Sequence, residues 1–338
     1  MSETTKIPWC DSTGSPWTGC TPVSAACLNC YAQKLAYKNG WCRWGRGVPR
    51  HRFTSFRKQM VTLDRWTGQG RFRECALCGG REFRKLDPKT GVLSKCSTPT
   101  CLADPAIHSR WAWPKVFPSL CDWLDAEVPV EWLVDLMETI IITPRLDWLL
   151  LSKRCELWRE RLTQARDAAV ATYVRQVTAQ WLDGLPIAHV WVGATVEDPD
   201  QDHRIAEVSA IPSLVHFLSV EPMLGPVSLD FAGNARDIDW VICGGESGGK
   251  ARALHPHWVR ALRDQCSEAG VPFCFKQWGD NPSPDAYETV FGRENASRWE
   301  RRHGRKLDGL VWNQTPQQVR RPSSSTPLAC PSVQDMLL

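Results

Sequence analysis

The sequence lacks long apolar runs, and its charge shows no large excess of either sign. No segment approaches the roughly 18 consecutive apolar residues of a membrane-spanning helix. The opening residues, MSETTKIPWC, lack the basic-then-apolar order of a secretory signal peptide. We therefore expect a cytoplasmic protein that does not enter membranes.

The formal net charge is only +4 over 338 residues, which gives no global field for nucleic acid but leaves room for a local basic surface. One basic run contains Arg43, Arg46, Arg50, His51, Arg52, Arg57 and Lys58, interleaved with Trp41, Trp44, Phe53 and Phe56. This run fits either a solvated connector with a few anchoring aromatics or a strip that tracks phosphates and stacks bases.

No internal repeat is visible, and the length and 43% hydrophobic content suffice for one large α/β barrel or two ordinary domains. Apolar runs that favour strands alternate with helical patterns. The predicted strands are 147–151, 189–192, 215–220, 240–243 and 272–275, with two more before Cys20 and near 115–119. The predicted helices are 26–38, 131–141, 157–180 with a break, 202–207 and 256–269. Because consecutive parallel strands need helical crossovers, we expect a closed or partial barrel or a doubly wound sheet.

Composition changes at two places in the chain. Residues 67–105 are rich in Gly, Cys, Lys, Arg and Thr without apolar periodicity, as in an insertion held by metal rather than by a core. The last stretch contains QTPQQVRRPSSSTP, which is typical of a disordered tail. We therefore predict a first β/α unit at 1–66, the insertion at 67–105, the remaining β/α units at 106–313 and a tail at 314–338.

The fifteen cysteines are numerous for a chain without an export signal. They are expected to be reduced, which favours metal sites over disulfides. Seven of them fall in two tight clusters. Five others lie in apolar or helical stretches and are interpreted as small core residues. These five are Cys121, Cys155, Cys243, Cys266 and Cys274.

The first cluster lies in WTGCTPVSAACLNCYAQKLAY, with six residues between Cys20 and Cys27 and two between Cys27 and Cys30. Three thiolates can hold three corners of a four-iron, four-sulfur (4Fe-4S) cluster and leave the fourth iron open, whereas structural sites usually take four protein ligands. A helix from residue 26 would carry two of these cysteines near its positive end, which favours thiolates. The alternative is a zinc knuckle with Cys10 or Cys42 as fourth ligand.

The cysteine loop and the Tyr31-Ala32 that follows it resemble radical S-adenosylmethionine (radical SAM) enzymes, including the spore photoproduct lyase type. The usual motif of those enzymes has three residues between the first two cysteines, so the six-residue gap departs from it. Along most of its length the chain resembles a phage-associated three-cysteine-motif family of unassigned function. The stretches that carry this resemblance are PWTGC at 16, LLLSKR at 149, VWVGATVED at 190, FLSVEPMLGP at 217, WVICGGESG at 240, HPHWVRALRDQC at 255 and FCFKQWG at 273.

The resemblance implies a partial (β/α) barrel of radical SAM type, with the cluster loop after its first strand. It also implies that S-adenosyl-L-methionine binds the open iron and that a reducing donor such as flavodoxin or ferredoxin supplies one electron. Cleavage would give methionine and a 5′-deoxyadenosyl radical that abstracts hydrogen from a substrate. Gly244-Gly245-Glu246 resembles the glycine-glycine-acid motif that contacts the methionyl amine in such enzymes.

Several apolar runs end in polar residues that a core would not select. In a β/α barrel these strand ends meet at one mouth, although any one of them alone would fit a solvated loop. Glu221 is a candidate for ribose hydroxyls or an amine, and Lys153 and Lys276 for a carboxylate or phosphate. The full set of cofactor-binding candidates is Tyr31, Asp122, Lys153, Glu221, Gly244, Gly245, Glu246 and Lys276.

The second cysteine cluster consists of Cys75 and Cys78, followed after 17 residues by Cys96 and Cys101. Two such pairs predict a zinc ribbon, because each pair forms a tight turn and tetrahedral Zn²⁺ joins them. An auxiliary iron-sulfur cluster is the alternative. The basic residues around the pairs suit a zinc finger that faces nucleic acid and equally suit a merely soluble one.

These features together favour a radical SAM enzyme that modifies or repairs a nucleotide or nucleic acid. A radical enzyme acting on a peptide or a small metabolite would have the same barrel. The non-catalytic alternative is a zinc-dependent nucleic-acid-binding protein in which all seven clustered cysteines are structural.

Overall fold

The computed structural model describes residues 5–69, 72–75, 81–82, 109–282 and 304–316. The main sheet contains seven parallel strands, each paired with the next one along the chain. They are β1 (Ser12–Thr13), β2 (Lys115–Phe117), β3 (Asp147–Ser152), β4 (Val190–Thr195), β5 (His216–Val220), β6 (Trp240–Gly244) and β7 (Phe273–Gln277). A doubly wound sheet reverses its strand order at a switch point, so this order excludes it. The sheet curls into a half barrel, in agreement with the expected partial β/α barrel.

Helices occupy most of the connections between these strands. They are α1 (Tyr31–Lys38), α2 (Phe56–Gly68), α3 (Val130–Ile142), α4 (Trp158–Ala168), α5 (Thr172–Leu182), α6 (His203–Ser209) and α7 (Pro256–Glu268). The predicted break within 157–180 is confirmed, since α4 ends at Ala168 and α5 begins at Thr172. The predicted strands are confirmed with small shifts at their ends.

The helix predicted from residue 26 is wrong at its start. A 3₁₀ turn covers Ala25–Cys27, and α1 begins only at Tyr31, with Cys30 as its N-cap. Cys30 has φ −50° and ψ 121°, which is not helical, so the chain turns between the two elements. The side chain of Asn29, inside this turn, is tied to a distant loop by a 2.9 Å hydrogen bond to Glu246. This tertiary contact takes precedence over the local helical pattern.

The two faces of the sheet pack differently. Along β3, Trp148 and Leu150 belong to the helix-side core, whereas Leu149 lies in a second buried cluster. This alternation follows from the two-residue period of a strand. The second cluster lies on the inside of the half barrel and includes Trp191 and Trp240. Bulky side chains therefore fill part of the half barrel's interior.

A small antiparallel sheet lies at the insertion predicted for 67–105. Its strands are Arg81–Glu82, Arg73–Cys75 and Ser109–Trp111, in that spatial order. Cys75 ends the middle strand, while Cys78, Cys96 and Cys101 lie outside the described residues. The predicted zinc site therefore stays a prediction.

The first residue of the predicted tail, Gln314, is attached to the main sheet. The backbone N–H of Gln314 donates to the carbonyl of Phe273 in β7 at 3.1 Å. Residues 317–338 of the predicted tail lie outside the described residues. Within the part of the chain that the structure describes, no helix has the length and apolar character to cross a membrane.

Candidate functional site

A cavity of about 590 Å³ opens at the carboxyl ends of the parallel strands. This volume lies in the range of ligand-binding pockets. Most of the predicted site residues line it, although they come from distant parts of the chain. They are Cys20, Cys27, Cys30, Tyr31, Asp122, Lys153, Glu221, Gly245, Glu246 and Lys276. The barrel mouth therefore brings the cysteine loop and the polar strand ends together.

The cysteine loop leaves the first strand region through a sharp turn at Gly19. Gly19 has φ +114°, a conformation that side-chain-bearing residues rarely adopt. The backbone N–H of Cys27 then donates to Ser24 O at 3.0 Å, and that of Cys30 to Cys27 O at 3.4 Å. These local bonds fold the loop so that Cys20, Cys27 and Cys30 all reach the same cavity.

Burial favours the neutral thiol form of Cys20 and Cys30 by raising their pKa. Burial raises the pKa of the Cys20 thiol to about 12, against the opposing effect of the nearby Arg154 cation. Burial also raises the pKa of the Cys30 thiol, while the backbone N–H groups of Gln33 and Ala32 act in the opposite direction. A metal that binds here must displace these protons. The N–H groups at the start of α1 are oriented to stabilise a thiolate once it forms.

Arg154 connects β3 to the cysteine loop. Its Nη1 lies 3.4 Å from Cys20 Sγ and 2.6 Å from Asp122 Oδ2, and its Nη2 donates to the carbonyl of Thr21. Asp122 also accepts from Ser152 Oγ at 2.7 Å. The carboxylate of Asp122 is thus occupied by protein groups, so it holds Arg154 against the sulfur rather than facing a ligand directly.

Glu246 connects the loop after β6 to the cysteine loop. Its carboxylate accepts from Asn29 Nδ2 at 2.9 Å and from Arg252 Nη2 at 2.5 Å, and Arg252 Nη1 donates to the carbonyl of Ala25. Burial acts to raise the pKa of Glu246, but the hydrogen bonds from Arg252 and Asn29 outweigh it and lower that pKa. We call this group of Asn29, Glu246 and Arg252 the loop clamp. It fixes the cysteine loop against the barrel mouth.

A second ion pair lies across the ends of β5 and β7. Lys276 Nζ is 2.9 Å from Glu221 Oε1, and Ser219 Oγ donates to the other carboxylate oxygen at 3.4 Å. Gly244 leaves room for this pair, because an added Cβ would lie 3.0 Å from Glu221 Oε1. Both charged groups line the cavity, so this pair can exchange partners with a polar ligand.

Lys153 is a cavity cation that is held by a hydroxyl group rather than by a carboxylate. Its Nζ donates to Thr195 Oγ1 at 3.1 Å, and within the described residues no carboxylate forms an ion pair with it. A lysine in this state can hold a carboxylate or a phosphate of a ligand.

Gly245 is required by the packing of the loop after β6. A Cβ at this position would lie 1.9 Å from the carbonyl oxygen of Trp278. The backbone N–H of Gly245 donates to Gln277 O at 2.9 Å, which continues the strand pairing into the loop. Packing alone therefore explains the glycines at positions 244 and 245, without reference to a ligand.

The three cysteines of the loop line one cavity, an arrangement that is compatible with an iron-sulfur cluster. In the described ranges, no three His, Cys, Asp or Glu side chains are arranged to hold one metal ion. In a cluster each thiolate binds a different iron, so the three sulfurs need only face one cavity, as they do here. Neither Cys10 nor Cys42, the two alternative fourth ligands, lines this cavity. Cys42 Sγ lies 3.4 Å from Thr18 O, and Cys10 is buried in the inside cluster.

Sequence reasoning missed the partners that hold the predicted residues. Asn29 and Arg252 gave no signal, because their contacts join positions that are far apart in the chain. Cys121, interpreted as a core residue, is only partly buried and lines the cavity. Tyr31, in contrast, was predicted from its place beside the cysteines, and its hydroxyl donates to Ser119 O at 2.6 Å.

Comparison with known proteins identifies the family of the chain. No curated protein and no solved structure matches the chain. A family described as a protein of unknown function, DUF5131, matches residues 4–316. This match covers most of the 338 residues, including every residue of the cavity. The chain therefore belongs to the DUF5131 family.

Proposed function

We propose that this protein is a radical SAM enzyme in which Cys20, Cys27 and Cys30 hold a 4Fe-4S cluster. The observation that supports this most directly is that three free cysteines of one loop face a single ligand-sized cavity at the mouth of a parallel half barrel. Three ligands leave one iron for a small molecule. A structural metal site would leave the large adjoining cavity without a role.

When bound, the cluster would supply the electron that cleaves S-adenosyl-L-methionine and releases a 5′-deoxyadenosyl radical. The chain's own residues stabilise the thiolates and orient the cysteine loop. Arg154 donates toward Cys20 Sγ and stabilises the negative charge of a thiolate there. The loop clamp keeps the cysteine loop in one position relative to the strand ends.

The charged residues of the mouth are suited to two ligands in one cavity. Glu221 and Lys276 offer an acceptor and a donor that are paired with each other, whereas Lys153 offers a cation without a carboxylate partner in the described ranges. We assign a nucleotide or nucleic acid as the substrate class, because phosphates need such cations. A reducing protein of the flavodoxin or ferredoxin kind would supply the electron.

Anaerobic reconstitution tests the metal assignment. Protein incubated with iron and sulfide should become brown and retain about four iron atoms per chain beyond any zinc. A colourless protein that takes up only zinc would contradict the proposal and would favour the non-catalytic zinc protein.

A further inference from the structure

The basic run between residues 43 and 58 divides into two groups once the fold is known. Arg50 is buried, and its Nη2 lies 2.8 Å from Asp125 Oδ2. Arg52 and Arg57 pair with carboxylates on α3, and Phe56 belongs to the main core. The side chains of these residues are engaged by the protein's own groups.

The remaining group is partly or fully exposed to solvent and includes one residue of the cavity lining. It consists of Trp41, Arg43, Trp44, Arg46 and His51, which we call the mouth strip. Arg43 and Arg46 are exposed, and neither forms an ion pair within the described parts of the chain. Trp44 lies between the two arginines in the sequence and lines the cavity. Its Nε1 is buried and has no hydrogen-bond partner among the described residues.

The backbone of the mouth strip is fixed to the cysteine loop. The N–H of Gly45 donates to Cys20 O at 3.1 Å, and Arg50 Nη1 donates to Gly45 O at 3.0 Å. Glu127 accepts from Gly47 N at 2.5 Å and from Thr21 Oγ1 at 2.7 Å. The two arginines therefore project from a backbone that is held next to the proposed cluster.

The end of α1 fixes Trp41. Gly40 has φ +64°, and the N–H of Trp41 donates to Ala36 O at 3.0 Å, as in a Schellman helix end. The Trp41 ring is stacked on His51, with centroids 6.4 Å apart and planes 12° apart. Phe53 meets the Trp41 ring edge-on at 5.0 Å. These half-exposed rings form a preorganised aromatic surface beside the arginines.

We propose that the mouth strip binds a single-stranded nucleic acid, with one nucleotide entering the cavity beside Trp44. Unpaired arginines that flank aromatic rings are the combination that binds phosphates and stacks bases. A continuous duplex keeps its bases inside the stack and offers no ring to Trp41 or Trp44. That the bound strand is also the substrate rests on the proposed radical activity, whereas the binding itself does not.

Fluorescence anisotropy with a labelled single-stranded DNA of about 12 nucleotides measures this binding on the full chain. The dissociation constant should rise with salt. Replacing both arginines, in Arg43→Glu/Arg46→Glu, should weaken binding at least about tenfold and reduce the slope of log K against log salt by roughly 1.4. Lys58→Glu is the control, because Lys58 is exposed on α2 and lies outside the mouth strip.

Stacking is tested separately from charge. An abasic strand of the same length carries the same phosphates and should bind at least about fivefold more weakly than the strand with bases. Trp44→Ala should reduce this difference, and Trp44→Phe should restore most of it. Circular dichroism and thermal unfolding establish that each variant is folded.

Three results would overturn the inference. They are no binding at low salt, equal loss of affinity in the arginine variant and in Lys58→Glu, and equal affinity for duplex and single strand. The assay is run on metal-depleted and reconstituted protein alike. Cluster formation without binding defeats this inference alone, whereas binding by a protein that takes up no iron defeats the proposed radical activity alone.

Discussion

Substitution of Cys27 tests whether the cysteine loop binds a cluster. We expect Cys27→Ala to lose the brown colour and most of the iron, because a cluster needs all three thiolates. The fold should persist, since Cys27 is only partly buried. Iron analysis after reconstitution, with circular dichroism for the fold, measures both effects.

Cys42→Ala is the matched control for that substitution. Cys42 is also a partly buried free cysteine, but it does not line the cavity. It should retain iron at the wild-type level. Loss of iron in this variant would identify Cys42 as a fourth ligand and would contradict an open iron.

Arg154 is a positioning residue whose effect is electrostatic. Its guanidinium lies 3.4 Å from Cys20 Sγ, where a positive charge and an N–H donor stabilise the reduced state of a cluster. We expect Arg154→Gln to make the midpoint potential of the cluster more negative. The potential of Arg154→Lys should lie between those of the wild type and Arg154→Gln. A reductive titration followed by electron paramagnetic resonance gives these potentials.

Arg159→Gln serves as the comparison for Arg154→Gln. Arg159 lies over the ring of Trp158, 4.8 Å from its centroid, and does not line the cavity. Its substitution should leave the potential unchanged. The same potential in wild type and in Arg154→Gln would show that the guanidinium does not act on the cluster.

Single residues were predictable where their chemistry stands out from the local pattern. Three closely spaced cysteines and polar residues after apolar strands can be recognised without a structure, and most of them do line one cavity. Their pairing could not be predicted. Asp122 and Glu246 were considered as ligand contacts, yet Arg154 and Arg252 occupy their carboxylates. Such contacts depend on which loops meet in space.

The loop after β6 depends on a glycine at 245. An alanine Cβ there would lie 1.9 Å from Trp278 O, so the backbone must move. We expect Gly245→Ala to lower the free energy of unfolding by about 1–3 kcal/mol. Gly249→Ala, where an added Cβ meets nothing within 4 Å, should change it by less than about 0.5 kcal/mol. Urea unfolding compares them, and equal stabilities would contradict this packing.

The loop clamp makes stability depend on pH. Arg252 and Asn29 lower the pKa of Glu246, so its ionised form stabilises the fold above its unfolded pKa, near 4.3. That contribution is lost as pH falls through the lower, folded pKa. We expect Glu246→Gln to lower the free energy of unfolding by about 1–3 kcal/mol at neutral pH. The difference from wild type should shrink below about pH 4.

Asp167→Asn is the control for the clamp. Asp167 pairs with Arg166 on the surface, and exposed pairs contribute little. The free energy of unfolding of Asp167→Asn should equal that of the wild type across the whole pH range. A difference between Glu246→Gln and wild type that persists unchanged into acid would contradict a role for the ionised carboxylate.

The long elements were predictable because buried parallel strands appear as apolar runs and the helices that cover them repeat apolar residues every three to four positions. The start of α1 was not predictable, because Asn29 forms a hydrogen bond with Glu246, which lies 217 positions further along the chain. β1 is only two residues long and has too few positions to show a period. Its place is set by pairing with β2, which lies about 100 residues further along the chain.

At the scale of the whole molecule, the second cysteine cluster is predicted to have a role separate from that of the first. Because its two pairs predict zinc, Cys78→Ala should lose zinc and lower stability or nucleic-acid affinity, while iron at the first cluster is retained. Metal analysis of both variants, Cys27→Ala and Cys78→Ala, measures this. Iron loss from the second site, together with loss of cofactor cleavage, would instead indicate an auxiliary cluster.

The half barrel unites these parts into one site. Its strand order carries the ends of β3, β5, β6 and β7 to the same mouth as the cysteine loop. The mouth strip adjoins that opening through Trp44. A radical enzyme needs this arrangement, because the cofactor and the reacting atom of the substrate must lie in one enclosed space.

The most direct measurement is the release of 5′-deoxyadenosine by reconstituted, reduced protein supplied with S-adenosyl-L-methionine under anaerobic conditions. The nucleoside is quantified by chromatography and mass spectrometry, with Cys27→Ala as the matched blank. We predict that the wild-type protein releases 5′-deoxyadenosine and that the variant does not. Iron-loaded wild-type protein that releases no more 5′-deoxyadenosine than Cys27→Ala would contradict the account.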